Sequence, residues 1–213
     1  MINFSIFNIP VRIEPIFWLT MAFVSGRLFA DSKEQIFGLL LFILAGFISI
    51  LIHELGHALT AKSFGKRVHI VLQAFGGYAE YDNNKPLRPR QTFAITAAGP
   101  AIQIVLGFTA MVCLRSIPNL SPYAVDFLRS LYFISIIWAI LNLLPILPLD
   151  GGRLVQTLLG PRRIRTTLMI SVGTAAFICV FGMLSGQLFL GIFAGFMGYR
   201  SFQALQQIQT RKF

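Results

Sequence analysis

Two histidines four residues apart, with a glutamate beside the first, are the residues in this sequence best suited to chemistry. The run His53-Glu54-Leu55-Gly56-His57 places both imidazoles on one face of a helix, one turn apart. Two imidazoles in that arrangement can hold one zinc ion. Glu54 lies about 100° around the helix from His53, so it can reach a water whose pKa zinc lowers to roughly 7. The pattern indicates a zinc-dependent hydrolase, and two helix histidines beside an exposed glutamate are the simpler alternative.

The helix that carries this pattern is expected to span a membrane. Residues 36–52 contain no charged side chain, and continuation of the helix to residue 64 makes it long enough to cross a bilayer. His53, Glu54 and His57 are therefore expected inside the hydrocarbon or at its edge. Ionisable side chains at that depth are costly, and a functional role is the default hypothesis for them.

Composition indicates an integral membrane protein. The chain has 213 residues, of which 55% are apolar and 12% are charged, whereas a soluble domain has about 25% charged residues. In so apolar a chain, the net charge of +10 is better explained by basic cytoplasmic loops than by nucleic-acid binding. We expect a single transmembrane domain over residues 1–213, with the lipid bilayer as a partner and no nucleic-acid partner.

The apolar segments predict an all-α membrane protein with six transmembrane helices. The spans are expected at residues 16–30, 36–64, 92–114, 126–144, 167–185 and 187–205. Two β-prone runs flank Gly76 and Gly77, which predicts a short membrane-associated β-hairpin over residues 68–81, with His69 on the strand surface. Short extended segments are expected at residues 3–14. The excess of Lys and Arg in the loops of one side predicts that both termini lie in the cytoplasm. The membrane itself is expected to be a prokaryotic plasma membrane.

A third metal ligand is expected where the fourth span ends. A catalytic zinc ion is held by three protein ligands and keeps one open position. Pro145 and Pro148 break the helix and two glycines follow, so Asp150 is expected on non-helical backbone at the depth of the histidines. Asp150 is therefore the preferred ligand among the acidic residues. A turn-forming aspartate before Gly151-Gly152 is the alternative.

These two motifs resemble those of the site-2 protease family of intramembrane metalloproteases. The resemblance rests on residues 53–57 within one span and residues 142–152 at the end of a later one. It is supported by residues 76–77 after the second span and by Ala98-Gly99-Pro100 in the third. Family members often have asparagine a few residues after that Gly-Pro, where this chain has Gln103, and no role is assigned to this residue.

The resemblance implies a function and a set of site residues. It implies one zinc ion per chain, with metal ligands His53, His57 and Asp150, general base Glu54, and substrate-binding residues Asn142, Gly76 and Gly77. The implied reaction is hydrolysis of a peptide bond in or near the transmembrane helix of a membrane-protein substrate, as in regulated intramembrane proteolysis. Such a helix must unwind locally first, because its backbone is hydrogen-bonded internally. The residues alone leave three alternatives open: a zinc transporter, an inactive zinc-binding homologue and a purely structural membrane protein.

Overall fold

Helices make up most of the chain, and four short strands form one sheet in its first part. The computed structural model describes residues 1–74, 76–82 and 86–210, and the chain divides into two compact units, Met1–Ala139 and Ile140–Phe213. The first unit contains β1 Ile2–Ile6, β2 Ile9–Ile13, α1 Pro15–Val24, α2 Lys33–Ser63, β3 Val68–Gln73, β4 Gly76–Tyr81, α3 Pro89–Ser116 and most of α4 Pro122–Asn142. The second contains α5 Asp150–Leu159, a single 3-10 turn Pro161–Arg163, α6 Ile164–Leu184 and α7 Leu188–Thr210.

In the part of the chain that the structure describes, four helical segments are long and apolar enough to cross a membrane: α2, α3, α4 and the segment Pro161–Leu184 that contains α6. Large apolar side chains such as Phe108 of α3 and Ile137 of α4 are exposed on them, which suits contact with lipid. The prediction of six spans is therefore supported for four. The first predicted span is represented by α1, which has only 10 residues. The sixth corresponds to α7, which has 23 residues and is not among the four.

The two β-prone regions, residues 3–14 and 68–81, pair into one sheet of order β1-β2-β3-β4. β1 and β2 form a hairpin whose turn residues Phe7 and Asn8 have φ values of 51° and 57°, as a two-residue turn between twisted strands requires. β2 runs parallel to β3, and β3 pairs antiparallel with β4. The predicted hairpin over residues 68–81 is present, apart from Phe75, which lies outside the described residues. The predicted all-α fold included only this hairpin, so it is wrong for β1 and β2, which extend the sheet to four strands.

The sheet packs against the part of α2 that carries the histidine pattern. Alternate side chains of a strand point to the same face, and the apolar ones of β2 and β3 join a single core with α1 and α2. Its buried members are Ile9, Val11, Ile13, Phe17, Met21, Ile50, Leu51, Ala58, Ile70 and Leu72. Because Leu51 and Ala58 bracket the histidine pattern in sequence, this core fixes the sheet beside the site.

The ends of α2 are set by local sequence signals. Oγ of Ser32 caps the helix by accepting the N–H of Gln35 at 3.2 Å. The chain leaves the helix through Gly65, whose φ of 80° favours glycine. With 31 residues, α2 is about 46 Å long at 1.5 Å per residue, longer than the hydrocarbon core of about 30 Å. The histidines lie in its last three turns, so they are nearer one end of the helix than its middle.

A bent segment between α4 and α5 opens the second unit. The main-chain N–H of Leu147 donates to Oγ of Ser171 on α6 at 3.1 Å, and Oγ of Ser201 on α7 donates to the carbonyl oxygen of Leu147 at 3.0 Å. α6 and α7 are joined by a tight turn in which Gly186 has a φ of 72°. The last two helices therefore hydrogen-bond to the main-chain N–H and the carbonyl oxygen of Leu147, which lies in the bent segment before Asp150.

Candidate metal centre

His53 and His57 lie one turn apart on a buried face of α2. They are 4% and 8% exposed, and their Nε2 atoms are 3.1 Å apart. The ring planes are inclined at 82° to each other. Two imidazole nitrogens therefore converge on one point, as the four-residue spacing predicts.

Helix α3 holds the other nitrogen of each ring. Nδ1 of His57 donates to the main-chain carbonyl oxygen of Ile95 at 2.7 Å, and Nδ1 of His53 lies 2.9 Å from Oε1 of Gln103. A carbonyl oxygen can only accept a hydrogen bond, so both rings carry their proton on Nδ1. In a neutral ring of this tautomer, Nε2 has the lone pair that binds a metal ion.

Two glycines allow α2 and α3 to approach closely enough for these contacts. A Cβ on Gly56 would lie 2.7 Å from the carbonyl oxygen of Ala98, and a Cβ on Gly99 would overlap the ring of His57. Gly56 stands inside the histidine pattern, and Gly99 belongs to the Ala-Gly-Pro run of the third span. Both motifs therefore contain a residue whose role is to make room for the histidine pair.

Glu54 is buried beneath the start of β4. It is 4% exposed, so the alternative of an exposed glutamate is wrong. A Cβ on Gly77 would lie 2.9 Å from Cγ of Glu54, which means that the missing side chain leaves space for the glutamate. Gly76 has a φ of 142°, a conformation that favours glycine. Of the two glycines predicted to bind substrate, Gly77 is thus the one in contact with the predicted base.

Asp150 is the first residue of α5 and is 8% exposed. The expectation of non-helical backbone at this position is wrong, because the bend lies at residues 143–149 and the helix begins at Asp150 itself. The glycines that follow serve close packing. A Cβ on Gly152 would lie 2.5 Å from the carbonyl carbon of Ile146, and a Cβ on Gly151 would overlap the carbonyl group of Leu143.

Three buried side chains in the described part of the chain could each offer an atom to a metal ion: His53 and His57 in the first unit and Asp150 in the second. Asn142, which is predicted to bind substrate, is the half-buried last residue of α4. Its role, like the assignment of the three ligands, stays a prediction.

The residues that surround His53 include a set that sequence analysis missed. Gln103 is completely buried, as are Ser49 and Ser135, and Gln103 contacts a histidine of the cluster. Gln103 lies four residues after Gly99, on the same face of α3, and this spacing is the signal that could have identified it. His69 has a different environment: its Nε2 lies 3.2 Å from a carboxylate oxygen of Glu80 on the neighbouring strand, as expected for a strand-surface residue.

Comparison with known families gives an independent result. The model of peptidase family M50 matches residues 41–121 and 119–185. Together these ranges cover more than half of the chain and contain both the histidine pattern and Asp150. The regions that match include all of α3, α4 and α5 and most of α2.

Individual proteins show the same relationship. The chain is 27% identical over 214 residues to the protein named zinc metalloprotease MJ0392 of Methanocaldococcus jannaschii, covering 97% of this chain and 61% of the relative. It is 35% identical over 150 residues to stage IV sporulation protein FB of Bacillus subtilis, covering 69% and 46%. It thus spans less than two thirds of either relative. Among solved structures, the site-2 protease from Methanocaldococcus jannaschii superposes with a TM-score of 0.66 at 25% identity, covering 96% of this chain and 94% of that one.

Proposed function

Because the chain belongs to peptidase family M50, we propose that it is an intramembrane zinc metalloprotease. It hydrolyses a peptide bond in or near the transmembrane helix of a membrane-protein substrate, in regulated intramembrane proteolysis. The observation that carries the proposal is the convergence of the Nε2 atoms of His53 and His57, which lie 3.1 Å apart, with Glu54 next to the first histidine. The buried Asp150 is the proposed third ligand. Residues 1–213 are proposed to act as a single transmembrane metalloprotease domain.

The donor set fits one zinc ion per chain. Catalytic zinc sites combine imidazole nitrogens and carboxylate oxygens from three protein residues. Two nitrogens bound tetrahedrally at about 2.05 Å are about 3.3 Å apart, close to the 3.1 Å between the Nε2 atoms of His53 and His57. When bound, zinc supplies Lewis acidity that polarises the scissile carbonyl and makes a water acidic at neutral pH. The names of the related zinc metalloproteases support the same metal.

Glu54 is the proposed general base. Its carboxylate takes the proton of the attacking water and then gives a proton to the nitrogen of the leaving amine. Glu54 follows His53 directly in α2 and so points away from the ligand face by about 100°. Its burial beside Gly77 limits exchange of that proton with bulk water.

Strand β4 offers an edge to which substrate can pair. In the described sheet, β4 is the last strand of the order and has β3 on one side only. An extended peptide can add to such an edge through main-chain hydrogen bonds, which requires that the substrate helix unwinds first. Gly76 and Gly77 let the two backbones approach beside Glu54. The amide of Asn142 is proposed to bind the substrate backbone or the developing oxyanion.

The protein is an integral membrane protein, and its location and orientation are proposed more specifically. We propose a prokaryotic plasma membrane with both termini in the cytoplasm. The turn between α5 and α6 contains Arg162 and Arg163, and Arg165 follows in the first turn of α6. This basic segment supports the orientation because short cytoplasmic loops are rich in Arg and Lys. The related proteins come from archaea and bacteria, which supports the prokaryotic location.

A reconstituted cleavage assay tests the proposed function. The purified protein is placed in liposomes with a single-span substrate, and the products are identified by mass spectrometry. Cleavage is expected to stop when a chelator removes the metal and to return when zinc is added. It should be faster when Gly, Asn or Pro lies near the scissile bond, because these residues ease unwinding. Transport of zinc into the same vesicles without any cleavage would instead support a transporter.

A further inference from the structure

We propose that Gln103 is a positioning residue that fixes the tautomer and orientation of His53 for metal binding. Gln103 is the third of four members of a chain of buried hydrogen bonds that starts at Ser135 on α4, passes through Ser49 on α2 and ends at the ring of His53. The inference rests on the metal site proposed above, because it assigns a function to a contact with one of its ligands.

The members of this chain are in hydrogen-bond contact and inaccessible to solvent. Oγ of Ser135 lies 2.9 Å from Oγ of Ser49, and Nε2 of Gln103 donates to Oγ of Ser49 at 2.9 Å. Oε1 of Gln103 then lies 2.9 Å from Nδ1 of His53. Ser135, Ser49 and Gln103 are each 0% exposed. A buried amide of this kind is favourable only if its polar atoms are hydrogen-bonded.

The directions of the hydrogen bonds that Gln103 makes are determined by the groups involved. Nε2 of Gln103 also faces the main-chain carbonyl oxygen of Ser49 at 3.5 Å, and because a carbonyl can only accept, the amide NH₂ must point towards Ser49. The amide oxygen therefore points towards His53 and accepts the proton on Nδ1. This leaves Nε2 of His53 as the metal-binding nitrogen, and an acceptor at Nδ1 makes that nitrogen a better ligand.

The two histidines differ in how they are held. Nδ1 of His57 donates to the main-chain carbonyl of Ile95, a group that every residue type at position 95 supplies. Nδ1 of His53 depends on a side chain. The identity of residue 103 therefore sets the metal affinity of one ligand specifically, whereas the hydrogen bond to the other ligand does not depend on the residue type at position 95.

A second explanation has to be separated from this one. In the second explanation, the buried glutamine serves simply as a contact between membrane helices. It would then stabilise the metal-free and the metal-bound protein equally. A positioning residue affects the metal-bound state more. The distinguishing quantities are therefore the zinc dissociation constant and the rise in Tm that zinc produces, because ligand binding stabilises the protein according to its affinity.

The experiment compares two variants that differ in the acceptor at position 103. Gln103→Met keeps the approximate volume and removes the acceptor, and Gln103→Glu keeps an acceptor oxygen. Zinc affinity of the full chain in detergent is measured by competition with a chelator. Gln103→Met should bind zinc roughly 10–100-fold more weakly and show a smaller zinc-dependent rise in Tm. Gln103→Glu should remain within a few-fold of the unmodified protein. Thr109→Val, which removes an exposed hydroxyl from the same helix, is the control.

Equal zinc affinity for all these proteins, or equal weakening in Gln103→Met and Gln103→Glu, would overturn the inference. His53→Ala shows whether the ligand assignment itself is at fault: if His53→Ala also binds zinc normally, the proposed site is wrong and not merely the role of Gln103. A measurement on the unmodified protein does not depend on how a variant folds. ¹⁵N spectra of zinc-loaded protein labelled at its three histidines should show His53 protonated at Nδ1. Protonation at Nε2 would contradict the proposal.

Discussion

Gly77 of β4 lies directly against the side chain of Glu54 of α2, so close that a methyl group at position 77 would stand 2.9 Å from Cγ of the glutamate. The contact joins the edge strand of the sheet to the residue that follows the first histidine. The position of the strand and the position of the carboxylate are therefore coupled, and a change at one is expected to move the other.

Gly77→Ala should lower activity without removing the metal. The added methyl group would also lie 2.7 Å from Cδ2 of Leu72, so Leu72, the strand or the Glu54 side chain must move. A misplacement of 1 Å near the chemistry can lower the rate by about 100-fold. Cleavage of a single-span substrate should fall by roughly 10–100-fold, while zinc content measured by atomic emission stays unchanged. A fully active Gly77→Ala protein would show that the sheet can move aside at no cost to catalysis.

Glu54→Gln should separate metal binding from turnover. The amide keeps the size of the side chain and leaves both histidines in place, but it cannot accept a proton. Turnover should fall by roughly 10²–10⁴-fold, the usual scale for general acid–base catalysis, and zinc should remain bound. Undiminished cleavage by this variant, with the zinc content verified in the same preparation, would remove the proposed role of Glu54.

Gly99→Ala should damage the metal site through His57. The Cβ of the new alanine would overlap the imidazole ring of His57. Either the ring must break the hydrogen bond from its Nδ1 to the carbonyl oxygen of Ile95, or α2 and α3 must move apart. Zinc affinity should fall by at least about tenfold, the lower end for a disturbed supporting contact. The matched control is Gly173→Ala in the middle of α6, where a Cβ meets no atom within 4 Å. This control should bind zinc normally and change stability by about 1 kcal/mol or less.

Asp150→Ala should weaken zinc binding because it removes one of three proposed ligands. Asp150→Asn keeps the shape of the side chain and should retain the fold, with zinc binding and cleavage both impaired. Circular dichroism verifies the fold and chelator competition gives the affinity. If Asp150→Ala binds zinc as tightly as the unmodified protein and still cleaves substrate, a different residue must supply the third ligand.

Ser171→Ala should act on the segment before Asp150 without touching a ligand. The main-chain N–H of Leu147 loses its acceptor, and an unsatisfied, partly buried donor costs about 1–3 kcal/mol. A lower Tm is expected, together with weaker zinc binding, because Leu147 lies three residues before the proposed ligand. Ser185→Ala, at the exposed turn between α6 and α7, is the control and should match the unmodified protein in both measurements.

The sequence predicted the parts of the site whose geometry follows from spacing along one element. His53 and His57 converge because four residues make one turn of helix, and a single helix determines that arrangement. The hairpin at residues 68–81 was predictable because its strands are adjacent in the chain. Asp150 was selected by its type and its position, and its role as a ligand stays a prediction.

The features that were missed depend on contacts between segments far apart in the chain. The parallel pairing of β2 with β3 joins strands separated by α1 and α2, and nothing in either strand specifies its partner. Gln103 was left without a role because its partner is 50 residues away. The helix at Asp150 was missed because two glycines were interpreted as a source of flexibility, whereas the structure uses them for close packing with residues 143–147.

The main-chain hydrogen bonds of Leu147 limit how far the chain can be shortened. A chain cut after Gly160 would retain all three proposed ligands, Glu54 and the sheet, yet it would lack the two hydroxyls that hold Leu147. The shortest sequence that contains the proposed site residues is therefore not the shortest one that keeps the segment before Asp150 in place.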